Sequence, residues 1–171
     1  MTIAVPDPRV VATLDHLGAS YELLPCDPEL ADTAAFCAAY GVPLERSANT
    51  IVVASRRPEG HHVACVLLAT TRLDVNGLIR RRMEVKKASF ARAEETAALT
   101  GMMIGGVTPF ALPEKLAVWV DSAVMALDWV ILGAGSRSAK VRVDPSVLLL
   151  LPALEVVAGL ALAVIARVGD V

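Results

Sequence analysis

The chain has 171 residues, 55% of them hydrophobic and only 4% aromatic, so its core must be built mainly from Ala, Val and Leu. With 20% charged residues this composition excludes a disordered chain, and the length suits one domain with a sizeable core. The formal net charge of −2 argues against a protein that holds nucleic acid by its overall charge. Any contact with RNA therefore requires a local basic patch.

The first half of the chain predicts short helices and strands. Hydrophobic spacing and flanking Gly, Pro and Asp residues place, in order, a helix over residues 10–17, a strand over 21–24, a helix over 32–41 and strands over 49–55 and 62–70. The last two strands are continuously apolar, which predicts a hairpin-like pair with both faces covered.

The second half continues the same mixed pattern. It places, in order, a helical segment over residues 74–82, a short strand over 89–91, a helix over 92–99, strands over 116–121, 129–132 and 140–143, and a helix over 144–151. The strand over residues 140–143 alternates polar and apolar residues, as an exposed strand would. Together the elements predict a single α+β domain over residues 1–171 with a mixed or antiparallel sheet.

The apolar stretch over residues 147–166 is long enough to resemble a membrane span. Pro152, Glu155 and Gly159 interrupt it, and a lone Glu is costly in lipid. We therefore expect core elements rather than a membrane anchor, which is the alternative. The stretch can equally bury itself against a second copy, so a monomer and a homodimer both stay open.

Cysteine usage and the N-terminus point to the cytoplasm. Cys26, Cys37 and Cys65 are widely spaced and form no Cys-x-x-Cys pair, which suits a reducing compartment. Neither a disulfide framework nor a metal site is predicted, and no cofactor is expected. The N-terminus has no basic segment followed by an apolar one, so no signal peptide is predicted.

The most informative segment is the loop over residues 100–113, which is built from glycine, proline and apolar residues. Gly101, Gly105 and Gly106 permit close backbone approaches, whereas Pro109 and Pro113 stiffen the loop. This combination favours a shaped pocket wall where backbone amides meet a ligand. An ordinary connecting loop is the alternative interpretation.

Two familiar active-site patterns are absent from the sequence. The segment from Gly133 to Arg137 lacks the third glycine of a dinucleotide-binding turn, because position 138 is Ser. No Gly-x-Ser-x-Gly elbow accompanies the three histidines, which argues against a Ser-His-Asp hydrolase.

The sequence contains one dense basic cluster, which serves either as a solvated helix end or as a site for RNA phosphates. Its members are Arg80, Arg81, Arg82, Lys86 and Lys87.

Taken in order, several segments resemble the YbaK/prolyl-tRNA-synthetase-associated domain family, the trans-acting aminoacyl-tRNA deacylases. They are the sequence Ser-Ala-Asn-Thr-Ile-Val-Val over residues 47–53, the segments over 85–91 and 95–101, the Gly-Gly-Val-Thr-Pro-Phe loop over 105–110, the strand ending at Asp121, and the segment over 130–135. The resemblance implies a mixed β-sheet curled into a partly open barrel with surrounding helices. It implies hydrolysis of the ester of mischarged tRNA, in trans, with an aminoacyl-tRNA synthetase as a second candidate partner.

The resemblance also implies roles for individual residues. The candidate catalytic residues are Asn49, Lys87, Gly105, Gly106, Val107 and Thr108. The candidate substrate-binding residues are Thr50, Gly101, Pro109, Phe110, Asp121 and Gly133. Independently of the resemblance, the basic cluster supplies the candidate tRNA-binding residues Arg80, Arg81, Arg82 and Lys86.

One departure from the family pattern concerns position 49. Many members have Lys where this chain has Asn49, and a neutral amide donates a hydrogen bond without the charge of an ammonium. Three interpretations stay open. Asn49 serves a different aminoacyl group, another cation such as Lys87 replaces the lysine, or the site binds a ligand without hydrolysing it.

Overall fold

Three β-sheets organise the computed structural model, which describes residues 3–164. The strands are β1 (Tyr21–Pro25), β2 (Ala48–Arg57), β3 (Glu59–Leu68), β4 (Thr71–Leu73), β5 (Lys87–Phe90), β6 (Ala117–Asp121), β7 (Val130–Gly133), β8 (Ala139–Val143), β9 (Leu154–Val157) and β10 (Ala161–Ala163). The largest sheet has the order β5-β2-β3-β6-β9, in which β6 is parallel to both of its neighbours. A second sheet has the order β1-β8-β7, and β4 pairs with β10.

Short helices connect the strands. They are α1 (Pro8–His16), α2 (Thr33–Tyr40), α3 (Arg80–Arg82), α4 (Ala93–Thr100) and α5 (Ser122–Met125), with single-turn segments of other helical types at Pro28–Leu30, Leu44–Arg46, Val75–Ile79 and Pro145–Leu150. Helices α2 and α4 end at Gly41 and Gly101, whose φ angles of 67° and 71° lie in the left-handed region that glycine adopts without strain.

The α+β prediction is confirmed, and the differences between the predicted and the observed elements are local. The segment over residues 74–82 is helical, but Val75–Ile79 is a π-helical turn, and the Asp74 carboxylate caps its start by accepting the N–H groups of Gly77 and Leu78. The segment after Asp144 is a 3₁₀ helix. The core elements expected after Pro152 are strands β9 and β10, a choice that the sequence did not make, since a run of Leu, Val and Ala has no period that separates a strand from a helix.

The prediction that residues 140–143 form an exposed strand is wrong. Strand β8 is the central strand of its sheet, flanked by β1 and β7, and only Arg142 on it is exposed. Helix α2 covers the face that carries Lys140, which is therefore only 6% exposed. Part of the apolar stretch over residues 147–166 lies outside the described residues, and no helix within residues 3–164 is long and apolar enough to cross a membrane.

Two hydrophobic cores lie on opposite faces of the five-stranded sheet. Ala64 and Val66 of β3 face the first core, which the β1-β8-β7 sheet and α1 close. Cys65 and Leu67 face the second core, together with Ile79 and Trp119. Both faces of this strand are covered, as its continuous apolar sequence predicted.

The two larger sheets meet but do not close into a barrel. Ser47 and Ile131 form a single bridge between the start of β2 and strand β7. Strand β5 pairs with β2 only from Val53 to Arg57. The edge of β2 over residues 48–52 therefore has no strand beside it in the described part of the chain, and an opening remains there.

Candidate functional site

A cavity of about 440 Å³ occupies the opening beside the unpaired edge of β2. Its walls are β2 over residues 48–52, the start of α2 over residues 32–34, the glycine loop at Ile104, Gly105 and Val107, and the β7–β8 hairpin at Gly133 and Lys140. This volume lies within the range of small-molecule sites in proteins. Four segments that are distant in sequence therefore converge on one ligand-sized space.

Thr50 presents polar groups to the cavity without a partner. The carbonyl of Val52 accepts the N–H of Ala91, so the backbone groups of Val52 point to the β5 side of β2. Because alternate residues of an antiparallel strand point their backbone groups to the same side, those of Thr50 point toward the unpaired edge. The Thr50 hydroxyl also has no hydrogen-bond partner within the described residues, although the residue is only 8% exposed. An unpaired buried hydroxyl is costly, which favours a polar ligand at this position.

Asn49 lies beside Thr50 and is held in place by α2. Its Oδ1 accepts a hydrogen bond from the Thr33 hydroxyl, and both residues line the cavity. The carboxamide NH₂ keeps two donors, and neither has a protein acceptor within residues 3–164. Asn49 can therefore donate hydrogen bonds to a ligand from the wall of the cavity.

The cation that lines the cavity is Lys140. Its Nζ donates to the carbonyl of Ala31 at 2.6 Å and to the carbonyl of Gly105 at 2.7 Å, and it lies 5.6 Å from the centre of the Phe36 ring. Burial lowers the pKa of Lys140, because desolvation disfavours its charged form. No other Lys or Arg lines the cavity in the part of the chain that the structure describes.

Arg137 fastens the same two segments as Lys140 from outside the cavity. Its guanidinium donates to the carbonyl of Pro28 at 2.8 and 3.0 Å and to the carbonyl of Ile104 at 2.6 Å. Arg137 and Lys140 thus each join a carbonyl of the segment before α2 to a carbonyl of the glycine loop. Charge-assisted bonds of this kind hold a loop more firmly than neutral ones.

Glycine allows the loop to pack directly on the β7–β8 hairpin. The Gly135 N–H donates to the Gly106 carbonyl at 2.8 Å, and a Cβ on Gly106 would lie 2.7 Å from the backbone of Ser136. A Cβ on Gly133 would overlap the carbonyl of Val107. Gly105 has a φ of +92°, a conformation that side chains disfavour. The glycines of both segments are needed for this backbone-to-backbone contact.

The structure brings together five of the residues that the sequence nominated: Asn49, Thr50, Gly105, Val107 and Gly133 all line the cavity. Gly106 belongs to the same loop, but its N–H already donates to the Met103 carbonyl at 2.9 Å.

The other residues nominated in the glycine loop, and Asp121, do not line the cavity. Thr108 and Phe110 are fully buried, and Pro109 faces a separate hollow beside Leu112. Gly101 ends α4, where its carbonyl accepts a hydrogen bond from Arg9. Asp121 is buried at the start of α5, where its side chain makes no capping hydrogen bond.

Lys87 lies far from the cavity. It pairs with Arg57, which is eight residues along β2 from Asn49, a separation of about 26 Å at roughly 3.3 Å per strand residue. Lys87 therefore cannot supply a positive charge beside Asn49. Lys140, which the sequence did not single out, is the cation that lines the same cavity as Asn49 within residues 3–164.

The basic cluster lies at the same remote end of β2 as Lys87. Arg82 pairs with Glu155 and stacks 5.1 Å from the centre of the Trp119 ring, and Arg80 donates to the Asn76 carbonyl. Arg81, Lys86 and Lys87 are exposed and form no ion pair within residues 3–164. Some members of this cluster are thus tied to the protein, and others face solvent.

No sequence signal identified Arg137 or Lys140. Arg137 lies in a glycine-rich turn, and Lys140 lies in a strand whose alternation is typical of an exposed edge. Their roles become visible only once α2 covers one face of the β1-β8-β7 sheet and the glycine loop packs beside it.

Within residues 3–164, no group of three or more His, Cys, Asp or Glu side chains is arranged to hold a metal ion.

A family model described as the aminoacyl-tRNA editing domain matches residues 27–150, which include every wall of the cavity. This chain belongs to the aminoacyl-tRNA editing domain family. The match confirms the resemblance inferred from the glycine loop and the segments around it.

Solved structures show the same fold. Hypothetical protein APE2540 is 26% identical, with a TM-score of 0.79 over 90% of this chain and 99% of its own. A proposed trans-editing enzyme for prolyl-tRNA synthetase is 22% identical, with a TM-score of 0.75 over 90% of this chain and 98% of its own. The α+β fold described above is therefore a recurring one.

Proposed function

We propose that this protein hydrolyses the ester bond of mischarged aminoacyl-tRNA, acting in trans as a free-standing cytoplasmic deacylase. The observation that carries the proposal is the cavity beside the unpaired edge of β2, where Asn49, the unpartnered Thr50 hydroxyl and Lys140 meet. Membership of the editing family supports it. The cavity volume of about 440 Å³ accommodates an aminoacyl group and part of the ribose that carries it.

The lining of the cavity favours direct attack by water over a covalent enzyme intermediate. No Ser, Cys or His lines the cavity within residues 3–164, and the hydroxyls of the lining threonines, Thr33, Thr50 and Thr96, make no hydrogen bond to a carboxylate, imidazole or amine there. Catalysis then depends on donors that are aimed at the acyl oxygen and on a positioned water. The Asn49 amide and the backbone edge at Thr50 are the neutral donors available for this purpose.

Transfer RNA is the proposed partner, and an aminoacyl-tRNA synthetase is a second one. A structurally similar protein is a proposed trans-editing enzyme for prolyl-tRNA synthetase, which supports tRNA as the first partner and a synthetase as the second. The exposed residues Arg81, Lys86 and Lys87 are the proposed contacts with RNA phosphates, since clustered cations attract a polyanion whatever the net charge.

The test is a panel of tRNAs, each charged with a wrong amino acid, incubated with an excess of the protein. We expect accelerated ester loss for at least one member and none for the correctly charged tRNA. Asn49→Ala is the matched cavity variant and should slow the reaction. Absence of ester loss with every member would overturn the proposed hydrolysis.

A binding module without hydrolysis is the second candidate function. The neutral Asn49, whose carbonyl oxygen is engaged by Thr33, is the observation that favours it. A tRNA carrying the amino acid through a non-hydrolysable amide separates the two functions. Tight, Asn49-dependent binding of this analogue without hydrolysis of the matching ester would favour the binding module.

A further inference from the structure

Lys140 is a buried cation at a junction that a second cation, Arg137, also holds together. Its side chain is only 6% exposed, and burying an ammonium is costly unless its hydrogen bonds are satisfied. The two carbonyls that it binds belong to segments that Arg137 already joins through the carbonyls of Pro28 and Ile104. Arg137 performs this joining outside the cavity, whereas Lys140 performs it at the cavity wall.

The hydrogen-bond geometry of Lys140 leaves capacity for a ligand. An ammonium has three N–H donors, and two of them bind the carbonyls of Ala31 and Gly105. These two bonds hold Nζ at the junction of α2, β8 and the glycine loop. The remaining donor has no protein acceptor among residues 3–164.

The cavity also offers a defined place for the oxygen that Lys140 would bind. Asn49 and Thr50 of β2 line the same cavity, with neutral donors and the unpartnered Thr50 hydroxyl. An acyl oxygen bound between β2 and Lys140 would meet both a neutral donor and a positive charge. A fixed charge in a site that excludes water stabilises a developing negative charge more strongly than it does in water.

We propose that Lys140 is a catalytic residue that donates its third N–H to the acyl oxygen of the aminoacyl ester and stabilises the oxyanion formed there. This inference rests on the proposed hydrolysis and adds the residue that supplies its charge. Water adds to the acyl carbon, and the carbonyl π electrons move to the oxygen bound by Lys140. When they return, the bond to the ribose oxygen breaks. The proton lost by water ends on that ribose oxygen, and Lys140 remains protonated throughout.

The first experiment compares Lys140→Met with wild-type protein on the mischarged tRNA that the wild type hydrolyses. We expect kcat to fall about 100-fold or more, the loss typical for removal of one oxyanion donor, with KM changed by less than about threefold. Lys115→Met is the matched control, because Lys115 is exposed and outside the cavity, and its activity should equal that of wild type.

The second experiment moves the charge to strand β2, at another position in the lining of the cavity. In the Lys140→Met background, Asn49→Lys places an ammonium on a residue that lines the same cavity, and we expect it to restore at least about tenfold of the lost kcat. A merely structural role for Lys140 predicts no such rescue. Arg137→Met shows how a structural residue behaves in the same test. We expect this variant to have a lower melting temperature than wild type, and adding Asn49→Lys should not restore the activity that Arg137→Met loses.

The outcomes separate this inference from the proposed function. Failure of wild-type protein to hydrolyse any member of the panel would overturn both. Hydrolysis by wild type and Lys140→Met at equal rates would overturn only the role of Lys140. If Lys140→Met does not fold, Lys140→Gln replaces it, since glutamine can still donate to a carbonyl. Unfolding of both variants, or failure of Asn49→Lys to rescue a folded one, would show that Lys140 is structural.

Discussion

At one end of strand β2, Asn49 and Thr50 border a cavity that contains one buried cation. At the other end, about 26 Å away at roughly 3.3 Å per residue, Arg57 pairs with Lys87 beside an exposed basic cluster. Charge at the cavity end is held by carbonyls and shielded from salt, whereas charge at the basic end is solvated and screened. The strand thus separates the proposed site of ester hydrolysis from the proposed site of attraction for RNA.

The largest effect that would test this division is expected from Gly133→Ala. The added Cβ would overlap the Val107 carbonyl and push the glycine loop away from Lys140. We expect a loss of about 1–3 kcal/mol in the free energy of unfolding, as for other overpacked sites, and at least a 100-fold loss of ester hydrolysis. Thermal unfolding and single-turnover hydrolysis measure the two quantities.

Gly41→Ala is the matched control for that substitution. Gly41 has a positive φ and open space around it, so alanine there adds backbone strain without touching the cavity. It should lower stability by about 1 kcal/mol without slowing hydrolysis. Equal activity losses in the two variants would contradict the claim that loop position, rather than stability, controls the reaction.

The next effect concerns pH at the cavity end. Burial lowers the pKa of Lys140, and the charged or titratable groups around it are Cys26, Asp32, Cys37 and Arg137. If the ammonium is required, activity falls as pH rises through that lowered pKa, by about tenfold per pH unit beyond it. The measurement is hydrolysis against pH, with the uncatalysed alkaline loss of the ester subtracted.

Stability should move in the opposite direction over the same pH range. The unfolded chain retains the Lys140 proton to higher pH than the folded chain does, so this residue makes folding more favourable as pH rises. The difference in melting temperature between wild type and Lys140→Met should show that rise. A parallel loss of activity and stability would assign the pH effect to unfolding instead.

A smaller effect is expected from Thr50→Val, which removes the unpartnered hydroxyl and keeps the shape of the side chain. We expect hydrolysis to fall about 5- to 10-fold, the value of roughly one neutral hydrogen bond. The melting temperature should stay the same or rise, because an unpaired buried hydroxyl is lost. Thr13→Val is the control, because Thr13 lies on α1 outside the cavity. A fall in the stability of Thr50→Val would show that the Thr50 hydroxyl has a protein partner.

The smallest effect should come from the basic end. Replacing Lys86 and Lys87 with alanine should raise KM for tRNA about two- to fivefold at low salt and leave kcat unchanged, since solvated charges act mainly on association. The dependence of log KM on log salt should become shallower by nearly one unit per lost phosphate contact. Lys115→Ala serves as the matched control. An unchanged salt slope would place the RNA contacts elsewhere.

The chain order of apolar and glycine-containing segments was enough to predict the α+β fold, the hairpin of β2 and β3, and the loop that borders the cavity. These features follow from local properties: β-branched runs form strands, and Gly41 and Gly101 end helices because only glycine adopts their φ angles readily. Of the residues nominated for the site, Asn49, Thr50, Gly105, Val107 and Gly133 line one cavity, and their roles there stay predictions.

Only the tertiary structure decided which charged residue reaches the cavity. Lys140 and Lys87 both lie on strands, and nothing in their local sequences distinguishes a buried ammonium from an exposed one. The distinction arises because α2 covers one face of the β1-β8-β7 sheet and directs Nζ of Lys140 to carbonyls 35 and 109 residues away in the chain. Side-chain alternation is a property of the strand, but the environment of each face is set by the elements that pack on it.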